Sequence, residues 1–282
     1  MVVLGAALLP GCAFAAQVEL DDACLGGERP PNTPGTADVL VDDGILARAV
    51  RVFVPESAPA DRSLGLVIDL VPATEDDVET WAAVSNFETV AEEEGFVVAT
   101  IASSRDTHQW NVRQVPAGPD DVAVIDAAAD AVAAIACIDE DQVHVAGFSD
   151  AGRMASLAAC GLAGRIASIA TVAGLDDPNP CRPDEPLSVA AFHGEDDVVA
   201  PLAGRSGEPT PAEVARAWAV RNGCELGDAQ EGRDGGHLYD RCDEDVVVVF
   251  AVVPDAGHAW PGIEITRATW DFFRANPRRP VL

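Results

Sequence analysis

The sequence predicts a doubly wound α/β fold on a mostly parallel sheet, and three observations carry that expectation. Short β-rich apolar runs alternate with longer amphipathic segments along the chain. Several runs, "LGLVIDL" and "DVVVVFAVV" among them, are apolar at nearly every position. A strand without a polar face needs cover on both sides, which helices flanking a parallel sheet supply. The length of 282 residues suits one α/β domain with a large core.

In chain order, the apolar runs predict strands at 46–54, 65–71, 96–101, 143–147, 168–173, 188–192 and 246–253. Amphipathic periodicity between them predicts helices at 78–94, 120–136, 151–163, 211–221 and 264–275. Such alternation implies right-handed crossovers. There is no internal repeat, heptad pattern or long linker, and the chain stops soon after the last helical pattern. A sheet flanked by helices, with no large cap or appended binding domain, is therefore expected.

The first sixteen residues, MVVLGAALLPGCAFAA, read as a secretory signal ahead of Gln17, although no positive n-region precedes them. The expected organisation is a signal over 1–16 and one catalytic domain over 17–282. An alternative takes Leu9-Pro10-Gly11-Cys12 as a lipoprotein box, with Cys12 lipidated. The apolar stretch is too short for a membrane span. The chain carries 18 basic residues, all arginine, against 47 acidic ones, a net charge of −29. That balance argues against nucleic acid, anionic membranes and strongly acidic polymers as partners, and reads as a solvated acidic surface on a monomer.

Setting Cys12 aside, six cysteines remain, and an even number in an exported chain suggests three disulfides. A strand over 143–147 rises ~17 Å. A helix over 150–161 descends ~18 Å. Cys137 and Cys160 are thus expected at one edge of the sheet and are paired with each other. Cys224 and Cys242 flank a Gly/Asp-rich excursion and would staple it, which leaves Cys24 with Cys181.

In an open parallel sheet, reactive groups gather beyond the carboxyl ends of the strands. Three places qualify: Ser149 after the 143–147 strand, Glu195-Asp196-Asp197 after 188–192, and His258 after 246–253. The order Ser, acid, His is that of α/β-hydrolases. A serine hydroxyl needs a neutral imidazole to take its proton, and the imidazole needs a carboxylate to fix its tautomer. In "VAGFSDAGRM" the serine lies at a strand-to-helix turn among the small residues Gly147, Ala151 and Gly152, one glycine later than in G-x-S-x-G. Each member alone has an ordinary alternative: Ser149 as a helix N-cap, the acids as turn residues, His258 as one of five histidines with His108, His144, His193 and His237.

The segments "VHVAGFSDAGRMASLAAC", "AAFHGEDDVVAPLAG", "AWAVRNGC" and "PDAGHAWPG" together resemble the secreted esterases related to polyhydroxybutyrate depolymerases and feruloyl esterases. The similarity runs from about Cys24 to the final "WDFFRANP". It implies an α/β-hydrolase fold and hydrolysis of carboxylic esters without metal or cofactor. Ser149 would be the nucleophile, Asp197 the acid with Asp196 as runner-up, and His258 the base. Trp260, two residues beyond the base, and Trp110 would line the substrate crevice. The oxyanion-hole donors would be the backbone N–H groups of Asp150 and Ala73. Two departures bear on that hole: Val71-Pro72 stands where the family usually has His-Gly, and Asp150 places a carboxylate beside developing negative charge. Candidate substrates are hydroxyalkanoate oligomers, other polyesters including synthetic aromatic ones, and feruloyl or acetyl esters on polysaccharide. The competing expectation is a weakened relative that binds polyester or polysaccharide without efficient turnover.

Overall fold

The computed structural model describes Cys24, Cys181 and residues 29–42, 47–75, 77–104, 109–178, 185–231 and 235–278. The expected signal, Cys12 and His108 lie outside the described residues. The strands are β1 (Gly35–Asp42), β2 (Ala47–Val54), β3 (Leu64–Leu70), β4 (Val97–Ile101), β5 (Ile138–Phe148), β6 (Ser168–Val172), β7 (Ser188–Gly194), β8 (Gln230–Glu231), β9 (His237–Tyr239) and β10 (Val248–Val253). The helices are α1 (Val78–Ser85), α2 (Phe87–Glu94), α3 (Asp121–Ala133), α4 (Asp150–Gly161), α5 (Pro211–Arg221) and α6 (Ile263–Ala275).

One sheet contains all ten strands in the order β1-β2-β4-β3-β5-β6-β7-β10-β9-β8. From β4 to β10 the central neighbours are parallel, and the flanking pairs on each side are antiparallel. Strands β4, β6 and β7 are buried at every residue, as continuous apolar runs covered on both faces must be. On one face they meet Ile125 of α3, Met154 of α4 and Trp218 of α5. On the other they meet Phe87 of α2 and Trp270 and Phe273 of α6.

All seven predicted strands are present, and the differences have local causes. Strand β1 is mostly exposed and pairs only at the antiparallel edge, so it has no continuous apolar run. Strands β8 and β9 are too short to show a period. The single helix expected over 78–94 is two, because Asn86 takes φ 61° and its N–H caps α1 on the Ala82 carbonyl. Asparagine tolerates that left-handed conformation better than most residues. Strand β5 starts at Ile138, with a register shift between Leu64↔Ile138 and Leu66↔Val143. The polar residues between, Asp139 to Gln142, hide its first turn from a reading of hydropathy.

Two of the three expected disulfide pairings are corrected. The bonds join Cys24 to Cys137, Cys160 to Cys181 and Cys224 to Cys242. Only the last is as expected. Reaching the same edge of the sheet did not pair Cys137 with Cys160, because another segment brings each of them a different cysteine. The Asn32 side chain accepts from the Cys137 N–H at 2.9 Å, and this N-terminal segment brings Cys24 to the foot of β5. The β6–β7 connection descends along α4: the Asp176 N–H donates to Ser156 Oγ at 3.0 Å. One helical turn below Ser156 is Cys160, where the same connection delivers Cys181.

His144, on β5, is a core residue. It is fully buried, stacked on Phe273 at 4.6 Å, and its ring nitrogens meet Ser168 Oγ and Gln142 Oε1. Burial lowers its pKa to about 3, so it stays neutral.

Peptide mapping without reduction is expected to recover Cys24 with Cys137 and Cys160 with Cys181. Replacing Cys160 and Cys181 by serine opens a loop with a sequence separation of 21. It is expected to cost about 3 kcal/mol in chemical denaturation.

Candidate active site

The site begins where β5 hands the chain to α4. Ser149 stands at that turn with φ 56° and ψ −119°, a strained conformation for a residue with a side chain. Its N–H donates to the Val172 carbonyl at the end of β6, 2.9 Å away. Ser149 occupies the N-cap of α4, yet its hydroxyl makes no cap bond. The hydroxyl turns instead to His258.

Three glycines make this geometry possible. A Cβ on Gly147 would lie 2.4 Å from the Ala151 carbonyl oxygen, one on Gly152 would lie 2.9 Å from Gly174 Cα, and one on Gly174 would lie 2.2 Å from the Ser149 carbonyl oxygen. The late glycine of the motif is thereby explained: Ala151 is fully buried in the core, and Gly152 is the residue that meets β6's exit. Gly174 escaped the sequence reading. Its signal is the "VAG" that closes an apolar strand.

The acid loop leaves β7 at Gly194, where a Cβ would lie 2.3 Å from the Ala256 carbonyl oxygen. Asp197 is buried, whereas Asp196 is exposed and contributes only a backbone bond to Ala256, which removes it as runner-up. Asp197 Oδ1 accepts from the N–H groups of Val199 and Ala200 at 2.8 and 2.7 Å. His193 closes the loop by donating from Nε2 to the Ala200 carbonyl at 2.6 Å. Asp197 Oδ2 lies 2.7 Å from His258 Nδ1, and His258 Nε2 lies 2.9 Å from Ser149 Oγ. With Nδ1 donating to the carboxylate, Nε2 is left as acceptor for the serine proton. Burial is the largest influence on the Asp197 carboxyl and pushes its pKa up, but the Ala200 N–H, His258 and the Val199 N–H together hold it below the usual range. The carboxylate is therefore charged when it faces the imidazole.

The expected oxyanion donors are adjacent in space, because β3 and β5 pair in parallel with Leu70 opposite Gly147. The Val71 N–H donates to Ile101, and its carbonyl accepts from Trp110 Nε1 at 2.8 Å, so the loop start is fixed. The Ala73 N–H, however, donates to Asp150 Oδ1 at 3.0 Å. Asp150 does not point away to solvent, as the charge argument would require. Burial raises its pKa, against the backbone N–H groups of Ala73, Ala151 and Asp150 itself and the charge of Arg153.

Both expected crevice tryptophans are corrected. Trp110 is only 4% exposed and donates to the Val71 carbonyl at the start of the loop after β3. Trp260 is 8% exposed, donates to Thr266 Oγ1 and meets Trp81 edge-on at 5.8 Å. Their indoles satisfy interior carbonyl and hydroxyl acceptors, which the sequence could not reveal. The open cleft beside Ser149 and His258, about 330 Å³, is instead lined by residues that include Arg153, His193, Pro201 and Arg205.

No protein-family model matches the chain. Feruloyl esterase B of Piromyces equi is 28% identical over 245 residues, which cover 80% of this chain and 45% of that protein. The chain thus spans about half the length of that curated relative. The solved acetyl xylan esterase from Aspergillus awamori superposes with a TM-score of 0.61 at 16% identity, over 85% of this chain and 99% of that one. An α/β serine hydrolase without lid from Xanthomonas campestris superposes with a TM-score of 0.54 at 16% identity, over 89% of this chain and 100% of that one. The chain has the α/β-hydrolase fold, and its sequence is similar to feruloyl esterases. The Ser149 turn lies at the centre of the parallel strands, the place where that fold gathers reactive groups.

Beneath the oxyanion loop, Asp69 of β3 is fully buried and accepts from Trp81 Nε1 at 3.0 Å and Ser85 Oγ at 2.7 Å. Burial raises its pKa from 3.8 to about 7. A carboxyl raised on folding favours the fold while protonated, and that contribution is lost as pH rises toward its folded-state value. In thermal melts, Asp69→Asn is expected to gain on the parent between the two pKa values, 3.8 and about 7, and to hold a constant lead above them. At the elbow, Gly174→Ala forces a methyl group onto the Ser149 carbonyl, so fluorophosphonate labelling of Ser149 should fall at least about tenfold, together with a loss of stability.

Proposed function

We propose that this protein is a serine esterase that cleaves carboxylic ester bonds through an acyl-enzyme. The observation that carries this reading is the unbroken relay from Ser149 Oγ through His258 to Asp197, with links of 2.9 and 2.7 Å. His258 Nε2 takes the Ser149 proton as Oγ bonds to the ester carbonyl carbon, and Asp197 stabilises the imidazolium. The carbonyl electrons move onto oxygen, which the N–H groups of Asp150 and Ala73 receive. Collapse expels the alcohol, protonated by His258. Water then repeats the sequence on acyl-Ser149, releasing the acid and restoring the serine.

Esters of feruloyl or acetyl groups on polysaccharide are the substrates this reading favours, because the similar proteins are named for them. Hydroxyalkanoate oligomers and aromatic polyesters share the same bond chemistry and belong in the same assay panel. Three disulfides support export, since such bonds persist in oxidising compartments. No helix among the described residues is long and apolar enough to cross a membrane. The N-terminal segment would act as a secretory signal, or as a lipid anchor at Cys12, and the domain would work as a monomer on its ester.

One observation favours a second reading, that of a weakened relative which binds its polymer with little turnover: the Asp150 carboxylate occupies the Ala73 donor. A panel of short aliphatic, acetyl and feruloyl esters separates the two readings. The esterase reading expects saturable turnover that falls at least about 10³-fold in Ser149→Ala. Binding to polymer without turnover, equal in parent and Ser149→Ala, would establish the second instead.

A further inference from the structure

We infer that Asp150 controls access to the oxyanion site: its carboxylate fills that site at rest and must swing toward Arg153 before an ester carbonyl can bind. The inference rests on the reading of Ser149 as the nucleophile.

The resting contact is direct, from the Ala73 N–H to Asp150 Oδ1 at 3.0 Å. The nearby N–H groups of Ala151 and Asp150 also favour its charged form, against the burial that raises its pKa. The N-cap Ser149 makes no cap bond to α4, because its hydroxyl serves His258. In charge, and in its use of the Ala73 N–H, this arrangement imitates the tetrahedral oxyanion. A neutral ester carbonyl is a weaker acceptor than a carboxylate, so it does not displace the side chain without help.

Arg153 is placed to give that help. It stands three residues along α4 from Asp150, the spacing at which helical side chains meet. It lines the cleft beside Ser149 and His258, and among the described residues its side chain has no ion-pair partner. In a chain with 47 acidic residues, an unpaired arginine one turn from this carboxylate is an available second position for it. Once there, the negative charge is neutralised and both oxyanion donors are free.

Displacing the carboxylate lowers kcat/KM for every ester alike. One oxyanion donor is worth about 10² to 10³ in turnover. Removing the occupant should recover part of that, so Asp150→Ala is expected to raise kcat/KM on p-nitrophenyl acetate about tenfold, mainly through kcat, and Asp150→Asn, whose neutral amide is a weaker acceptor than the carboxylate, about threefold. Inhibition by phenylboronic acid, whose serine adduct places an oxygen in the hole, should tighten in parallel. Arg153→Gln should lower kcat/KM severalfold in the parent and leave it unchanged in the Asp150→Ala background, a coupling that a merely structural role would not produce.

Slower turnover in Asp150→Asn at unchanged melting temperature overturns the inference, as does an Arg153→Gln effect that persists without Asp150. If Asp150→Ala does not fold, Asp150→Asn, which keeps the shape and an acceptor oxygen, decides alone. Failure of fluorophosphonate to label Ser149 in the parent and in every folded variant refutes the underlying nucleophile assignment; labelling with no gain on substitution refutes only the role of Asp150.

Discussion

The packing of the β5–α4 turn against the end of β6 is the constraint on which the site depends. At that point backbone meets backbone with no room for a side chain at Gly147, Gly152 or Gly174, and Ser149 is held at a positive φ. The strain is sustained because β3, β5 and β6 are locked in parallel register on both sides of the turn. Their buried apolar faces over-determine where the turn must lie. The serine therefore projects from the carboxyl edge of the sheet into the position where the β7 and β10 loops deliver Asp197 and His258.

Three carboxyl groups near that edge differ in state because their surroundings differ. Asp197 keeps its charge through two backbone N–H groups and the imidazole. Asp69, equally buried but met only by an indole and a hydroxyl, has its pKa raised to about 7. Asp150 lies between them, raised by burial yet bonded to the Ala73 N–H. Environment and not residue type thus sets the three carboxyl groups apart, one held charged beside an imidazole, one raised in the interior and one bonded to the loop after β3.

A reading of the sequence reaches the central strands and the grouping of Ser149, Asp197 and His258, because periodicity and strand-end placement are local properties. It stops where a result depends on lateral neighbours. Trp110 and Trp260 look like crevice aromatics in one dimension, but each indole meets a buried acceptor far away in sequence or across a loop. Cys137 and Cys160 share an edge of the sheet without sharing a partner, since the N-terminal segment and the β6–β7 connection each bring another cysteine closer. Asn86 breaks a helix whose hydropathy runs straight through it.

The sequence by itself determined the layered α/β architecture, since uninterrupted apolar strands can be stable only between helices, and it determined which residue types stand at the strand ends. Tertiary structure alone decided what Asp150 does. Its charge is plain in the chain, but whether that charge faces solvent or the Ala73 N–H depends on two strand ends brought side by side by the parallel pairing of β3 with β5. Hydrogen bonds between residues 77 positions apart are fixed by packing, and local sequence carries no record of them.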